Sequence, residues 1–232
     1  MTRLLIIYLV SCLLIPYSLA GQTPLELNDN RELFVDNYLI DKLYGVEIKM
    51  HSPVDEGAVL YFDEPWEGPF CGYVTMIKDN DIYRVYYKSS QGGGDGNDNE
   101  VTCYAESKDG IKWYKPNLGI HTIQGSTNNN VILANIAPVT HNFSPFLDMN
   151  PNAIPDQKYK GLGGNETIGG LLAFVSEDGI HWKKLQDDVV FKKGVFDSQN
   201  VAFWSESEKC YVLYFRIWSD GGFTEYKGFR SV

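Results

Sequence analysis

Cysteine is scarce in this 232-residue chain, with four copies, of which only Cys71, Cys103 and Cys210 lie beyond residue 20. Three widely and irregularly spaced cysteines are no disulfide framework, and no Cys-x-x-Cys or Cys/His cluster suggests zinc, so no metal or cofactor is expected. One bridge or three buried free thiols both fit. Positive charge is also in short supply: 20 Lys and Arg stand against 30 Asp and Glu, a net charge of −10. Nucleic acid and anionic lipid need a basic footprint, so neither is expected as a partner. Beyond residue 20 no stretch is apolar enough to cross a membrane. Helical periodicity is almost absent, which excludes bundles and coiled coils.

The exception to the shortage of apolar runs is the start. Arg3 precedes an apolar run from Leu4 to Ile15, and Ser18-Leu19-Ala20 offers small residues before Gly21. This predicts a Sec signal peptide cleaved after Ala20, and therefore a secreted or periplasmic protein. Leu9-Val10-Ser11-Cys12 resembles a lipoprotein box, but the apolar run continues past Cys12 and argues against lipidation. Residues 21–232 are treated as one domain.

What is abundant is the aromatic residue, with 15 Tyr and 12 Phe, which suits strands stacked in sheets. Short aromatic and β-branched runs are separated by Gly, Asn, Asp and Pro: "GVEIKMH", "YVTMIKD", "IYRVYYK", "EVTCYAES", "GLLAFVSE", "NVAFWSE" and "CYVLYFR". This predicts an all-β fold. "YAESKDGIKWYKPNLG" at 104–119 returns as "FVSEDGIHWKKLQDD" at 174–188, both carrying Ser-x-Asp-Gly-Ile-x-Trp. Tyr-rich strands precede each copy, and "SEKCYVLYFRIW" at 207–218 begins a third unit. Recurring four-stranded units are the signature of propeller blades, with a β-sandwich of two similar hairpins as the competing reading. Two units and most of a third do not close a ring, so the chain reads as the N-terminal part of a longer protein. "ELFVDNYLID", "GVEIKMH" and "GAVLYFDEPWEG" are expected to add edge strands.

The stretches "ELFVDNYLID", "EVTCYAESKDGIKWYKPNLG", "HNFSPFLDMNP", "AFVSEDGIHWKK" and "FDSQNVAFW" resemble uncharacterised secreted bacterial proteins of the five-bladed β-propeller glycoside hydrolase superfamily, which includes arabinanases, levansucrases and invertases. The resemblance implies a funnel-shaped pocket on the propeller axis, lined by the starts of the innermost strands, and a carbohydrate substrate. It also implies one acidic residue from each of the first three blades, as base or nucleophile, transition-state stabiliser and general acid. Glycoside cleavage passes through an oxocarbenium-like state, so one carboxyl protonates the leaving oxygen while another attacks or activates water.

That triad is not present as such. At the first strand mouth stand Gly72 and Tyr73, with Asp63, Glu64 and Glu67 upstream; at the second, His141 and Asn142. The third opens with Asp197-Ser198-Gln199-Asn200. Asp197 and Glu67 are therefore the candidate catalytic carboxylates. Tyr73, His141, Asn142, Gln199 and Asn200 are candidate sugar-binding residues, since amides both donate and accept. Val201 and Phe203 are expected to pack within the blade stack. Turn formation for Asp197, strand-mouth capping for the amides, a buried structural role for His141 and an exposed loop for Glu67 are the plain alternatives. "GGGDGNDNE" at 92–100 reads as a blade loop rather than a calcium loop, and Trp113 and Trp182 as packing residues. Two rival functions stay open: a non-catalytic carbohydrate-binding propeller and a repeat protein displayed for protein contacts.

Overall fold

A computed structural model describes residues 26–28, 32–92, 96–217 and 229–231. The expected leader, Asp95 and Trp218 lie outside the described residues. The chain divides into two compact units, Met1–Val54 and Asp55–Val232. In the first, the described residues form turns and extended coil with no strand. Tyr38 N–H donates to Asp36 Oδ1 at 2.8 Å and Ile40 N–H to the Asn37 carbonyl at 3.1 Å, closing local turns. The edge strands expected from "ELFVDNYLID" and "GVEIKMH" do not form. Alternating apolar residues make a strand only when a neighbour accepts the ladder hydrogen bonds, and Val46, Ile48 and Met50 stand exposed instead. "GAVLYFDEPWEG", in the second unit, is likewise not a strand, although Leu60, Phe62 and Trp66 pack on a core cluster.

The second unit is three consecutive antiparallel sheets. The first contains β1 (Phe70–Asp79), β2 (Ile82–Ser90), β3 (Glu100–Ser107) and β4 (Trp113–Tyr114), with β5 (Val131–Leu133) pairing further along β3. A short helix, α1 (Val139–Asn142), leads into the second sheet: β6 (Ser144–Leu147), β7 (Tyr159–Gly163), β8 (Leu172–Ser176) and β9 (Lys183–Lys184). The third has β10 (Val201–Ser205), β11 (Cys210–Tyr214) and β12 (Phe229–Ser231). Apart from β5, each is a simple meander, and β6 packs against both β1 and β10. The first strands of successive sheets are thus neighbours, as in the blades of a β-propeller.

The repeated heptapeptide explains its own recurrence. Ser107 Oγ and Ser176 Oγ each donate to the aspartate two residues on, both at 3.0 Å, and accept from Gly110 and Gly179 N–H, both at 2.9 Å. Asp109 Oδ1 accepts from Ile111 and Lys112 N–H at 2.9 and 2.7 Å; Asp178 Oδ1 accepts from Ile180 and His181 N–H, both at 2.8 Å. Trp113 and Trp182 donate Nε1–H to the glycine carbonyls at 3.0 and 3.2 Å. The glycines hold φ of 76° and 78°, a region costly for other residues. Trp182 then lies edge-on to Phe143 at 4.9 Å in the cluster joining the first two blades, where Tyr86, Tyr104, Tyr159 and Phe174 are buried. Trp113 packs on the first blade's own cluster of Val85, Tyr87, Val101 and Cys103.

A second repeat was not apparent in the sequence. Asp79, ending β1, accepts from the Tyr159 hydroxyl of the second blade and from Lys158 Nζ at 2.7 Å. Asp148, just past β6, accepts from the Tyr211 hydroxyl of the third blade at 2.8 Å and pairs with Lys160. The same latch, aspartate on one blade and tyrosine on the next, closes both joints. Burial works to raise the Asp79 carboxyl pKa, but the Lys158 and Tyr159 hydrogen bonds outweigh it and hold it below the usual range.

One packing expectation is reversed. Ala202 is the buried residue of β10, while Val201 and Phe203 are exposed, Phe203 stacking on Tyr214 with centroids 6.1 Å apart. With a period of two, the small residue faces the second blade and its larger neighbours face the other way.

Candidate active site

At the mouths of the three blades lies a cavity of about 640 Å³, with Tyr73, Glu100, His141, Asp197 and Arg216 on its wall, along with Asp98 and Thr167 from the loops. Tyr73 reaches it through a bulge. The β1–β2 register breaks between Gly72 and Thr75, and Tyr73 has φ of 48°. A bulge re-aims a side chain, and a tyrosine in the left-handed region is strained, a pattern that clusters at functional sites. Its hydroxyl donates to the Asp197 carbonyl at 3.2 Å, and its ring meets His141 edge-on at 5.4 Å.

His141 lies in α1, one residue before its end, and is almost wholly buried. Nδ1 lies 3.0 and 3.2 Å from the two oxygens of Glu100, and Nε2 lies 3.2 Å from the Asp197 carbonyl. Glu100, the first residue of β3, is 1% exposed. Its Oε1 also accepts from Gly96 N–H at 2.8 Å and lies 3.7 Å from Lys88 Nζ. Lys88 in turn sits over the Tyr73 ring at 4.5 Å, a cation–π contact. The first, second and third blades therefore meet through Glu100, His141 and the main chain of Asp197. The Asp197 carboxylate pairs with Arg216, with the two side chains 44% and 24% exposed.

Of the residues singled out from sequence, Tyr73, His141 and Asp197 come together. The amides do other work. Asn142 is fully buried: it donates to the Gly164 carbonyl at 2.8 Å and to the Phe196 carbonyl, and accepts from Gly164 N–H at 2.9 Å. With its side chain saturated by main chain, it anchors the Asp197 loop rather than facing sugar. Asn200, also buried, donates to the Phe196 and Ser198 carbonyls at 3.0 and 2.9 Å, capping the same loop. Gln199 reaches back to Thr75 Oγ1 at 2.8 Å, tying the loop to β1.

Glu67 is placed neither at the cavity nor in an exposed loop. It is fully buried, accepting from the Tyr87 hydroxyl at 2.5 Å, Lys115 Nζ at 2.8 Å and Glu64 N–H at 2.9 Å. Asn130 completes the network, accepting from Trp66 Nε1–H at 2.7 Å and donating to the Tyr87 hydroxyl at 2.9 Å. Burial opposes the Lys115 charge, but Glu67 and Asp63 outweigh it and raise its pKa. Glu67 is a structural acid of the first blade.

Sequence reading missed Glu100 and Arg216, which looked like ordinary residues of "EVTCYAES" and "CYVLYFR". The signal was available: each is a charge at the end of an apolar strand, the same feature that pointed to Asp197. Among the described residues no group of three or more His, Cys, Asp and Glu could hold a metal ion, and no helix is long and apolar enough to cross a membrane. Asn97 closes its own loop, donating to Ser90 Oγ at 2.6 Å. Cys71, Cys103 and Cys210 are free thiols.

Fold and site together define a class: consecutive β-propeller blades whose strand mouths share one charged pocket. No known family and no curated protein matches the sequence. Among solved structures the chain is similar to a glycosyl hydrolase from Bacteroides ovatus, at 16% identity over 69% of this chain and 46% of that one, TM-score 0.41. It is also similar to a fructofuranosidase variant from Schwanniomyces occidentalis complexed with fructosylnystose, at 14% identity over 72% and 33%, TM-score 0.41. A third is an α-L-arabinanase from Penicillium chrysogenum complexed with arabinobiose, at 14% identity over 68% and 43%, TM-score 0.38. The chain spans less than half the length of each of these structures. Likeness at this level assigns neither substrate nor activity.

Proposed function

We propose that this chain carries the pocket of an exported glycoside hydrolase acting on a poly- or oligosaccharide, with Asp197 as its proton-transferring carboxyl. The observation that carries the reading is the Asp197 carboxylate itself. It is half-exposed on the wall of a cavity large enough for sugar units, beside Arg216, on a loop pinned by all three blades. Proton transfer needs a carboxyl held in one place yet open to substrate, and pinning the main chain while leaving the side chain accessible meets both needs. Glycoside cleavage requires a second carboxyl. Glu100 is enclosed by donors and Glu67 lies elsewhere, so among the described residues the other solvent-reaching acid on this wall is Asp98. The leader ending at Ala20 supports export, and N-terminal sequencing of the protein recovered outside the cytoplasm is expected to begin at Gly21.

A second reading, a non-catalytic carbohydrate-binding propeller, is favoured by one observation: of the three described acids on the cavity wall, Glu100 is consumed by internal hydrogen bonds. A glycan-panel assay comparing the parent protein with Asp197→Asn and Asp98→Asn separates the two. Product formation that falls in both variants, with sugar binding retained, supports hydrolysis. Unchanged turnover in Asp197→Asn removes that residue from the mechanism. Sugar binding with no product under any condition supports the binding module.

A further inference from the structure

We infer that Glu100 is a positioning residue that keeps His141 doubly protonated, so that His141 acts as a charged clamp on the Asp197 loop rather than as a base. The argument is one of donors and acceptors. An ionised carboxylate and a main-chain carbonyl can only accept hydrogen bonds. His141 places Nδ1 against the carboxylate of Glu100 at 3.0 Å and Nε2 against the carbonyl of Asp197 at 3.2 Å. Both ring nitrogens must then carry hydrogen, which is the imidazolium form. Moving the Nδ1 proton to Glu100 would leave the pair's net charge unchanged. Gly96 N–H and Lys88 Nζ also face the Glu100 oxygens and need them as acceptors, so the geometry places the shared hydrogen on the ring.

Among the described residues, the charged and titratable groups around His141 come from the first and third blades: Glu100, Lys88 and Tyr73 from the first and Asp197 and Arg216 from the third, with Asp98 on the same cavity wall. An imidazolium has no free lone pair, so His141 neither takes a proton from substrate nor ligates a metal. It holds the carbonyl of Asp197 together with the Tyr73 hydroxyl, each at 3.2 Å. An acid of the first blade thereby fixes, through a histidine of the second, the catalytic candidate of the third.

The consequence for turnover rests on the sugar-site reading above; the protonation state does not. The test is nitrogen-15 NMR of the histidine side chains at pH 7.5, where an ordinary imidazole, with a pKa of about 6.5, is mostly neutral. His141 is expected to show an N–H at both ring nitrogens in the parent protein and to lose one of them in Glu100→Gln. A single N–H in the parent, or two in Glu100→Gln, overturns the inference. Should Glu100→Gln fail to fold, the parent spectrum alone decides. Two N–H signals together with an inert glycan panel would discard the sugar-site reading and leave the clamp standing. Where turnover is seen, it is expected to be retained at neutral pH and to fall on the alkaline side as His141 loses its proton; turnover unaffected by that step would remove the clamp from the mechanism.

Discussion

Glu67 and Glu100 belong to the same blade, are equally buried, and each has a lysine beside it, yet they do opposite jobs. Glu67 spends its oxygens on Tyr87, Lys115 and Glu64, all within the first blade. Glu100 faces a histidine from the second blade, which in turn faces the third. Burial therefore does not separate a structural acid from a site acid. What separates them is whether the hydrogen-bond chain crosses a blade boundary and ends at a cavity.

The sharpest way to break this contrast is Glu67→Ala. It leaves Lys115 with only the exposed Asp63 and the Tyr87 hydroxyl without an acceptor, and breaking a buried pair costs about 3–5 kcal/mol. Urea unfolding should show that loss, while material that remains folded keeps its ligand binding. A loss of binding without a loss of stability would place Glu67 back among the functional acids. Asp197→Asn is expected to do the reverse: turnover falls by roughly 100-fold or more, and stability shifts by less than about 1 kcal/mol because the pair with Arg216 is half in solvent.

Smaller effects concern the joints between blades. Tyr159→Phe removes one hydrogen bond to the charged Asp79 and is expected to cost about 1.5 kcal/mol in the same unfolding assay. The acid side of the stability profile gives the smallest signal. Burial would raise the Asp178 pKa, but hydrogen bonds led by His181 pull it down to about 2. A depressed carboxyl stabilises the fold above its unfolded pKa, near 3.9, and that contribution fades as pH falls toward 2. Asp79 is lowered in the same direction. The thermal midpoint should thus be insensitive to these groups between pH 5 and 8 and drop below pH 4, less steeply in Asp178→Asn. A midpoint that changes between pH 5 and 8 in step with Asp178 would contradict this.

The sequence showed most clearly what is decided locally. The Ser-x-Asp-Gly-Ile-x-Trp turn is written in seven consecutive residues because nearly all its hydrogen bonds are made among them, and the Tyr-rich strands beside it alternate or run apolar as buried strands do. "GVEIKMH" carries the same alternation without a partner strand, and pattern alone could not reveal that. The phase of β10 was likewise hidden, since Val201, Ala202 and Phe203 are all apolar and only packing tells which one turns inward. At the site, Asp197 and His141 were visible as polar residues at strand mouths. The contribution of Glu100 was not, because its meaning lies in a contact 41 residues along the chain. Asn142 and Asn200 look like sugar ligands in one dimension. In three they are staples, because a tight loop has carbonyls and N–H groups to satisfy and an amide is the nearest group able to do so.

The aspartate–tyrosine latch has a direction. At both joints the acceptor lies on the earlier blade and the tyrosine on the next. A chain made from its N-terminus therefore presents each aspartate before the hydroxyl that will engage it exists. Every new blade meets a finished edge with a waiting acceptor, so the order of synthesis and the order of docking coincide. Neighbours are matched in sequence, and a blade that skipped its turn would leave a buried carboxylate unanswered on the edge it passed over.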